Sequence, residues 1–234
     1  MPHQQIQGGS QGNSNSSEYI TKHVWKPIDF VPFLEARFMD SPFDHVWLNQ
    51  MRNQLADDVE WTRPISPFSG QPIKRFVAWF ADCGCKYEYS GLSFEPQTPP
   101  KWFAHFQQQV LSATRLEHIG FNCCNLNLYN GKDDWLDWHS DNEQLFHESS
   151  GVPILSLSLG APRLFQFKNK TTHKISDVTL NDGTLVFMDG TLQKSHLHRL
   201  PPAKKNIDHI LRINLTWRKI ANHKCPRQTI YNDE

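Results

Sequence analysis

Arg212-Ile213-Asn214-Leu215-Thr216-Trp217-Arg218 alternates without a break. Ile213, Leu215 and Trp217 take one side; Arg212, Asn214, Thr216 and Arg218 take the other. Successive side chains of a β-strand point to opposite faces, so this is a strand with one apolar and one polar wall. A polar wall ordinarily faces water. Two arginines in one row also suit a carboxylate ligand, because the planar guanidinium pairs with it bidentately.

The same alternation spreads outward. In Cys124–Tyr129, Leu126 and Leu128 oppose Asn125, Asn127 and Tyr129, and in Ile154–Leu159 three leucines alternate with serines. Phe165 and Phe167 share a face, as do Leu185 and Phe187, and Asn181-Asp182-Gly183 is a turn. Upstream the period changes. Ser41 caps a helix, Pro42 takes its first position, and Phe43, Trp47, Met51 and Leu55 recur every four residues. Three prolines and a Ser-Gly make 62–74 a loop or hairpin, and Phe76–Phe80 reads as a strand. After Pro100 a second helix carries Trp102, Phe106 and Val110 on one stripe. Helices followed by many strands imply an α+β protein with helices packed on a β-sandwich or barrel of jelly-roll type.

Composition sets the outer bounds. The 234 residues fit one domain with extensions, and 15 Phe and 8 Trp promise a bulky core. Net charge is zero, so any basic footprint for nucleic acid is local. No apolar run approaches a membrane span, and the N-terminus has no secretory pattern. The polar stretch 1–17 reads as a disordered tail. Cys83, Cys85, Cys123, Cys124 and Cys225 are odd in number and lack Cys-x-x-Cys spacing, so they read as reduced intracellular thiols, not as a disulfide frame or zinc site.

Chemistry concentrates at Trp138-His139-Ser140-Asp141. His139 and Asp141 stand two apart and project to one side of a strand or its end. With a second histidine from elsewhere they form the two-His-one-carboxylate face of a non-haem Fe(II) oxygenase, which leaves positions open for co-substrate and O2. With 12 histidines in the chain, a His-x-Asp pair also arises by chance. His198 is a candidate third ligand; His196 shares its face by alternation, and His147 sits in a polar loop. Asn127 and Tyr129 offer neutral hydrogen bonds beside the arginine strand. A polar lumen holding a dianion and a metal suggests an iron- and 2-oxoglutarate-dependent dioxygenase.

Asn125-Leu126-Asn127-Leu128-Tyr129, His139-Ser140-Asp141-Asn142-Glu143, Ser156–Arg163, His198-Arg199-Leu200-Pro201 and Arg212–Arg218 together resemble the AlkB family of oxidative nucleic-acid dealkylases. Arg75, Ala78-Trp79-Phe80 and 87–92 resemble the base-recognition lid of the branch containing the two human DNA-repair homologues. The resemblance implies a double-stranded β-helix core with supporting N-terminal helices and a nucleotide-recognition lid. It divides the chain into the tail 1–17, a helical extension 18–58, a dioxygenase domain 59–220 with its lid at 60–92, and a C-terminal tail 221–234.

By the same resemblance His139, Asp141 and His198 bind iron, the His-Arg-Leu-Pro context selecting His198 over His196. Asn127, Tyr129, Arg212, Asn214, Thr216 and Arg218 hold 2-oxoglutarate, with Arg212 on its distal carboxylate and Arg218 near its metal-chelating end. Tyr89 stacks on a flipped-out base opposite His139, with Tyr87, Asn142 and Arg75 nearby. Several relatives carry Asp where this chain has Asn142, which can hydrogen-bond but offers a cationic base no charge. The implied activity uses Fe(II), 2-oxoglutarate and O2 to demethylate 1-methyladenine and 3-methylcytosine in DNA or RNA, releasing formaldehyde, succinate and CO2. The implied protein is a monomer without a membrane partner, nuclear in a eukaryote and cytoplasmic in a bacterium. Alternatives are a dioxygenase of the same class on another RNA or a protein target, and a catalytically silent nucleic-acid-binding module.

Overall fold

The computed structural model describes residues 24–146, 151–203, 211–223 and 225; the tail 1–17 and His147 lie outside them. The first strands are β1 (Lys26–Pro27), β2 (Ala36–Met39), β3 (Phe76–Ala81), β4 (Tyr87–Tyr89), β5 (Leu92–Phe94) and β6 (Cys123–Tyr129). They are followed by β7 (Leu136–His139), β8 (Ile154–Gly160), β9 (Arg163–Asn169), β10 (Ile175–Leu180), β11 (Leu185–Met188), β12 (His196–Leu200) and β13 (Arg212–Arg218). The helices are α1 (His45–Asp58), α2 (Phe103–Thr114) and the short α3 (Leu192–Ser195). A seven-stranded sheet runs β1-β2-β11-β8-β13-β6-β3, a four-stranded sheet runs β10-β9-β12-β7, and β4-β5 stand apart as a hairpin. This is a jelly-roll core.

The alternating strands explain how the layers stack. The apolar side of β13, Ile213, Leu215 and Trp217, is fully buried in one cluster with Leu126, Leu155 and Leu157 and with Leu48, Met51 and Leu55 of α1 and Phe106 and Val110 of α2. The helices therefore cover the outside of the large sheet. Burying each such side chain contributes about 1.5–3 kcal/mol. A second cluster, including Trp79, Ile154, Phe167, Val186 and Met188, packs elsewhere in the molecule. The polar side of β13 is left facing the interior, and it too is buried: Arg212 is 1 % and Arg218 3 % exposed.

Two expectations for the N-terminal part change. The cap of α1 is Asp44, whose carboxylate accepts from Trp47 N at 2.9 Å. Ser41 instead closes a local turn, its hydroxyl accepting from Phe43 N at 3.1 Å. Asp44 sits three residues before the orphan donor, the separation an N-cap needs; Ser41 is too far back. The stretch 18–58 is also not only helical. Ala36–Met39 forms β2, antiparallel to β11 with Ala36 opposite Met188 and Met39 opposite Leu185. Four residues with no clear alternation carry little periodic signal; the exposed edge of β11 selects the strand.

The stretch 60–92, where the resemblance expects a lid, holds two linked loops. Thr62 bridges Val77 and Ile65 bridges Pro72, closing a loop over 62–77. Tyr89 pairs with Leu92 in the β4-β5 hairpin, whose turn residues Ser90 and Gly91 have φ of 48° and 72°. Positive φ at both central positions is the primed turn that matches strand twist. A side chain on Gly91 would meet Pro67 Cγ at 2.8 Å, so the hairpin rests directly on the first loop.

Candidate active site

Strand pairing brings together His139, Asp141 and His198, a cluster that could hold a metal ion. β7 and β12 are antiparallel neighbours, and their register sets His139 opposite His198 with ring centroids 4.2 Å apart. Asp141 follows where the chain leaves β7. Its Oδ1 is 3.9 Å from His139 Nε2 and its Oδ2 is 3.8 Å from His198 Nε2. Bonds of about 2.0–2.2 Å, as a first-row cation makes to nitrogen and oxygen, span such gaps. His139 Nδ1 lies 2.7 Å from Asp137 O, so that nitrogen donates and Nε2 keeps its lone pair for a ligand. Gln193 on α3 holds the backbone of Asp141, its Oε1 accepting from Asp141 N at 3.0 Å.

Protonation favours the same use. Burial alone would raise the Asp141 carboxyl, but Arg218, His198 and His139 hold it well below the usual carboxylate range. Arg218 Nη2 donates to Asp141 Oδ2 at 2.6 Å. Burial and the neighbouring His139 push His198 down to about 3. His139, with 30 % of its side chain exposed at the cavity, is lowered by its enclosure. Two neutral imidazoles and an ionised carboxylate are what a divalent cation requires, so these residues fit Fe(II).

The rival His196 is placed differently. It is buried one pleat further along β12, 3.5 Å from Glu35 and with Nδ1 2.8 Å from Ser195 Oγ. It belongs to a packing contact between β12 and the N-terminal segment.

A cavity of about 360 Å³ opens beside the cluster. Its lining includes His139, Asp141 and His198 and every residue expected to hold co-substrate and base. Arg212 stands in its wall with Tyr129 beneath the guanidinium, 5.0 Å from the ring centroid. Its Nε donates to Ser158 Oγ at 3.0 Å and its Nη2 to Asn214 Oδ1 at 2.6 Å. Both partners are neutral, and burial pulls Arg212 down to about 10. A buried cation with neutral partners is costly by itself and suits an incoming carboxylate. Thr216 Oγ1 accepts from Arg218 Nη1 at 3.2 Å, so the far end of β13 is tied to the metal side of the cavity.

Arg75 links the β4-β5 hairpin to the cavity wall. Its Nε donates to Asn127 Oδ1 at 2.8 Å and its Nη2 to Tyr89 OH at 2.9 Å. Tyr89 is flanked by Phe94, nearly parallel at 5.3 Å, and by Tyr87 at 4.9 Å. Tyr87 is buried, and its hydroxyl donates to Glu143 Oε1 at 2.9 Å. Burial and the charge of Asp141 push the Glu143 carboxyl up to about 7. Asn142 is exposed at the cavity rim.

Several supporting residues escaped the sequence. Ser156 and Ser158, read as the polar face of a strand and within the stretch that resembles the dealkylases, carried no assigned role, yet they hold Asn214 and Arg212. Glu143 follows Asp141 by two positions without a periodic cue. Gln193 lies far away in sequence and had no signal.

A buried two-His-one-carboxylate cluster beside an arginine wall in a jelly roll defines a class, and comparison with known proteins agrees. Residues 36–218 match the model of the 2OG-Fe(II) oxygenase superfamily, and the chain belongs to that superfamily, whose cofactors are iron(II), 2-oxoglutarate and O2. Within it the chain is similar to AlkB homologues. It is 33% identical over 207 residues to human alpha-ketoglutarate-dependent dioxygenase alkB homolog 3, covering 83% of this chain and 62% of that protein. The bovine form is 31% identical over 203 residues, covering 80% and 64%. Human DNA oxidative demethylase ALKBH2 is 30% identical over 156 residues, covering 63% and 57%. The chain thus spans a little under two thirds of these relatives' length. The solved structure of OsALKBH1 shares the fold, with a TM-score of 0.57 at 16% identity over 82% of this chain and 100% of that one. No helix among the described residues is long and apolar enough to cross a membrane.

Proposed function

We propose that the chain oxidatively demethylates N-methylated bases, 1-methyladenine and 3-methylcytosine, in DNA or RNA, with 2-oxoglutarate as co-substrate. The carrying observation is the His139–Asp141–His198 cluster sharing one cavity with the buried Arg212 and the aromatic lid. Iron(II), when bound with its co-substrate, supplies the oxidation of the methyl group, and the hydroxymethyl product releases formaldehyde.

The chain's own residues prepare that reaction. His139, Asp141 and His198 hold the cation in a deprotonated pocket. Arg218 keeps Asp141 ionised and Gln193 fixes its backbone. Arg212, steadied by Ser158 and Asn214, anchors the distal carboxylate, while Asn127 and Tyr129 lie alongside. The tethering of Tyr89 by Arg75 orients an aromatic face for a base turned out of its stack. Asn142 at the rim contributes a hydrogen bond without charge, so its contribution to selecting a cationic base is small.

The test incubates purified chain with Fe(II), ascorbate, 2-oxoglutarate and a panel of methylated DNA and RNA oligonucleotides, followed by mass spectrometry. Loss of the methyl group with matching succinate is expected. Oligonucleotide binding without succinate would identify a silent module. Succinate formed only with a different substrate would leave the oxygenase and refute the base specificity.

A further inference from the structure

The turn between β3 and β4 and the segment after β13 bring together four side chains that the described active site does not use. Cys83 and Cys85 flank Gly84, and His223 and Cys225 stand two apart in the same way. One ligand atom from each lies within 4.8 Å of all the others. Cys85 Sγ is 2.8 Å from Cys225 Sγ and 3.9 Å from His223 Nδ1.

We propose that Cys83, Cys85, His223 and Cys225 form a structural zinc site. Zinc binds thiolate at about 2.3 Å and imidazole at about 2.0–2.1 Å, so neighbouring ligand atoms on its tetrahedron lie about 3.6–3.8 Å apart. No pair of the four ligand atoms is more than 4.8 Å apart, and Cys85 and Cys225, at 2.8 Å, would separate by about 1 Å to reach that spacing. Three sulfurs and one imidazole complete the coordination and leave no open position, the mark of a structural site. Soft thiolates also separate it chemically from the nitrogen and oxygen ligands around Asp141.

Cys83 by itself is poorly placed to ionise. Burial pushes Cys83 up to about 12, and the sulfurs of Cys85 and Cys225 add to the effect. A divalent cation reverses that balance, and binding releases the three thiol protons to solvent. The nearby Cys123 is engaged elsewhere, its thiol donating to Arg218 O at 3.1 Å.

The site would tie two parts of the active site together. Cys85 O accepts from Trp79 Nε1 at 2.9 Å, and Tyr87 of the lid strand follows two residues later. On the other side, Ala221 N and Asn222 N both donate to Leu145 O at 3.1 Å, just beyond Glu143. Zinc at this point fastens the base of the lid to the chain leaving the metal-binding strand. An odd number of cysteines without Cys-x-x-Cys spacing reads as reduced thiols and not as a zinc site, but these two pairs come from segments far apart in the chain, where spacing along one segment gives no sign of them.

The 234-residue chain purified without chelator is tested by elemental analysis and by exchange with cobalt(II). One zinc per chain is expected, and the cobalt form should show sulfur-to-metal charge-transfer absorption. The His139–Asp141–His198 cluster has no sulfur, so His198→Ala should retain that absorption, while Cys83→Ser and Cys225→Ser should lose it. Zinc removal should lower the melting temperature and reduce demethylation more than oligonucleotide-free turnover of 2-oxoglutarate. Folded wild-type chain without zinc and without cobalt–thiolate absorption would overturn the proposal, with no variant needed. So would a Cys85–Cys225 disulfide found by non-reducing peptide mass spectrometry of fresh protein.

Discussion

Replacing Arg212 by methionine separates a ligand-binding role from a packing role. Arg212 is 1 % exposed and held at about 10 instead of 12.5. Lowering a base in the folded state means that folding disfavours its charge below the folded value, by about 3 kcal/mol here at 1.36 kcal/mol per pH unit. Arg212→Met keeps much of the aliphatic stem and removes that cost. It also removes the charge-assisted hydrogen bonds to Ser158 and Asn214, worth about 3–6 kcal/mol together. Asn214 Oδ1 still accepts from Ser156 Oγ at 3.2 Å. The ligand-free variant should therefore melt at the wild-type temperature or up to about 10 °C below it. Co-substrate binding should fall sharply, because a carboxylate loses its buried charge-assisted partner; about 2–5 kcal/mol corresponds to roughly 30- to several-thousand-fold in affinity. Melting curves of the anaerobic iron-loaded protein, with and without 2-oxoglutarate, read both effects on one preparation. Wild-type affinity in the variant would show that Arg212 is not the carboxylate anchor. A collapse of the ligand-free melting temperature would make it a structural residue.

His139→Ala, Asp141→Ala and His198→Ala should each lose iron and turnover, whereas His196→Ala should keep its iron and lose about 1–3 kcal/mol of stability by stranding Glu35 and Ser195; full iron content in His198→Ala would refute the assignment. Tyr89→Ala should slow demethylation about five- to a hundredfold, the value of one base–aromatic stack, while sparing oligonucleotide-free decay of 2-oxoglutarate. A parallel fall in melting temperature and both activities would return Tyr89 to packing. Gly160→Ala should unfold the start of β13: Gly160 has φ +91°, a Cβ there would lie 2.0 Å from Leu211 O, and Gly160 pairs with Arg212. Strain of about 1–3 kcal/mol predicts a fall of roughly 2–12 °C in melting temperature, and an unchanged melting curve would contradict the close approach.

Much of the site was legible because strand periodicity is local. Alternation in Arg212–Arg218 and Cys124–Tyr129 sorted polar from apolar walls before any contact was known, and the walls do face cavity and helices respectively. His139 and Asp141 were recognisable as a pair because two residues on one strand side need no distant partner to be understood. The resemblance to dealkylases added His198, which periodicity left level with His196.

What separated those two histidines physically is register. The pairing of β12 with β7 sets His198 opposite His139, while His196 falls opposite Asn169 of β9. The start of α1 at Asp44, the strand at Ala36–Met39, the grip of Gln193 on Asp141 and the meeting of Cys83 and Cys85 with His223 and Cys225 have the same origin. Periodicity reports which way a side chain points relative to its neighbours in the chain. It carries no information on which distant segment packs against that face, and only the folded packing of the sheets supplies it.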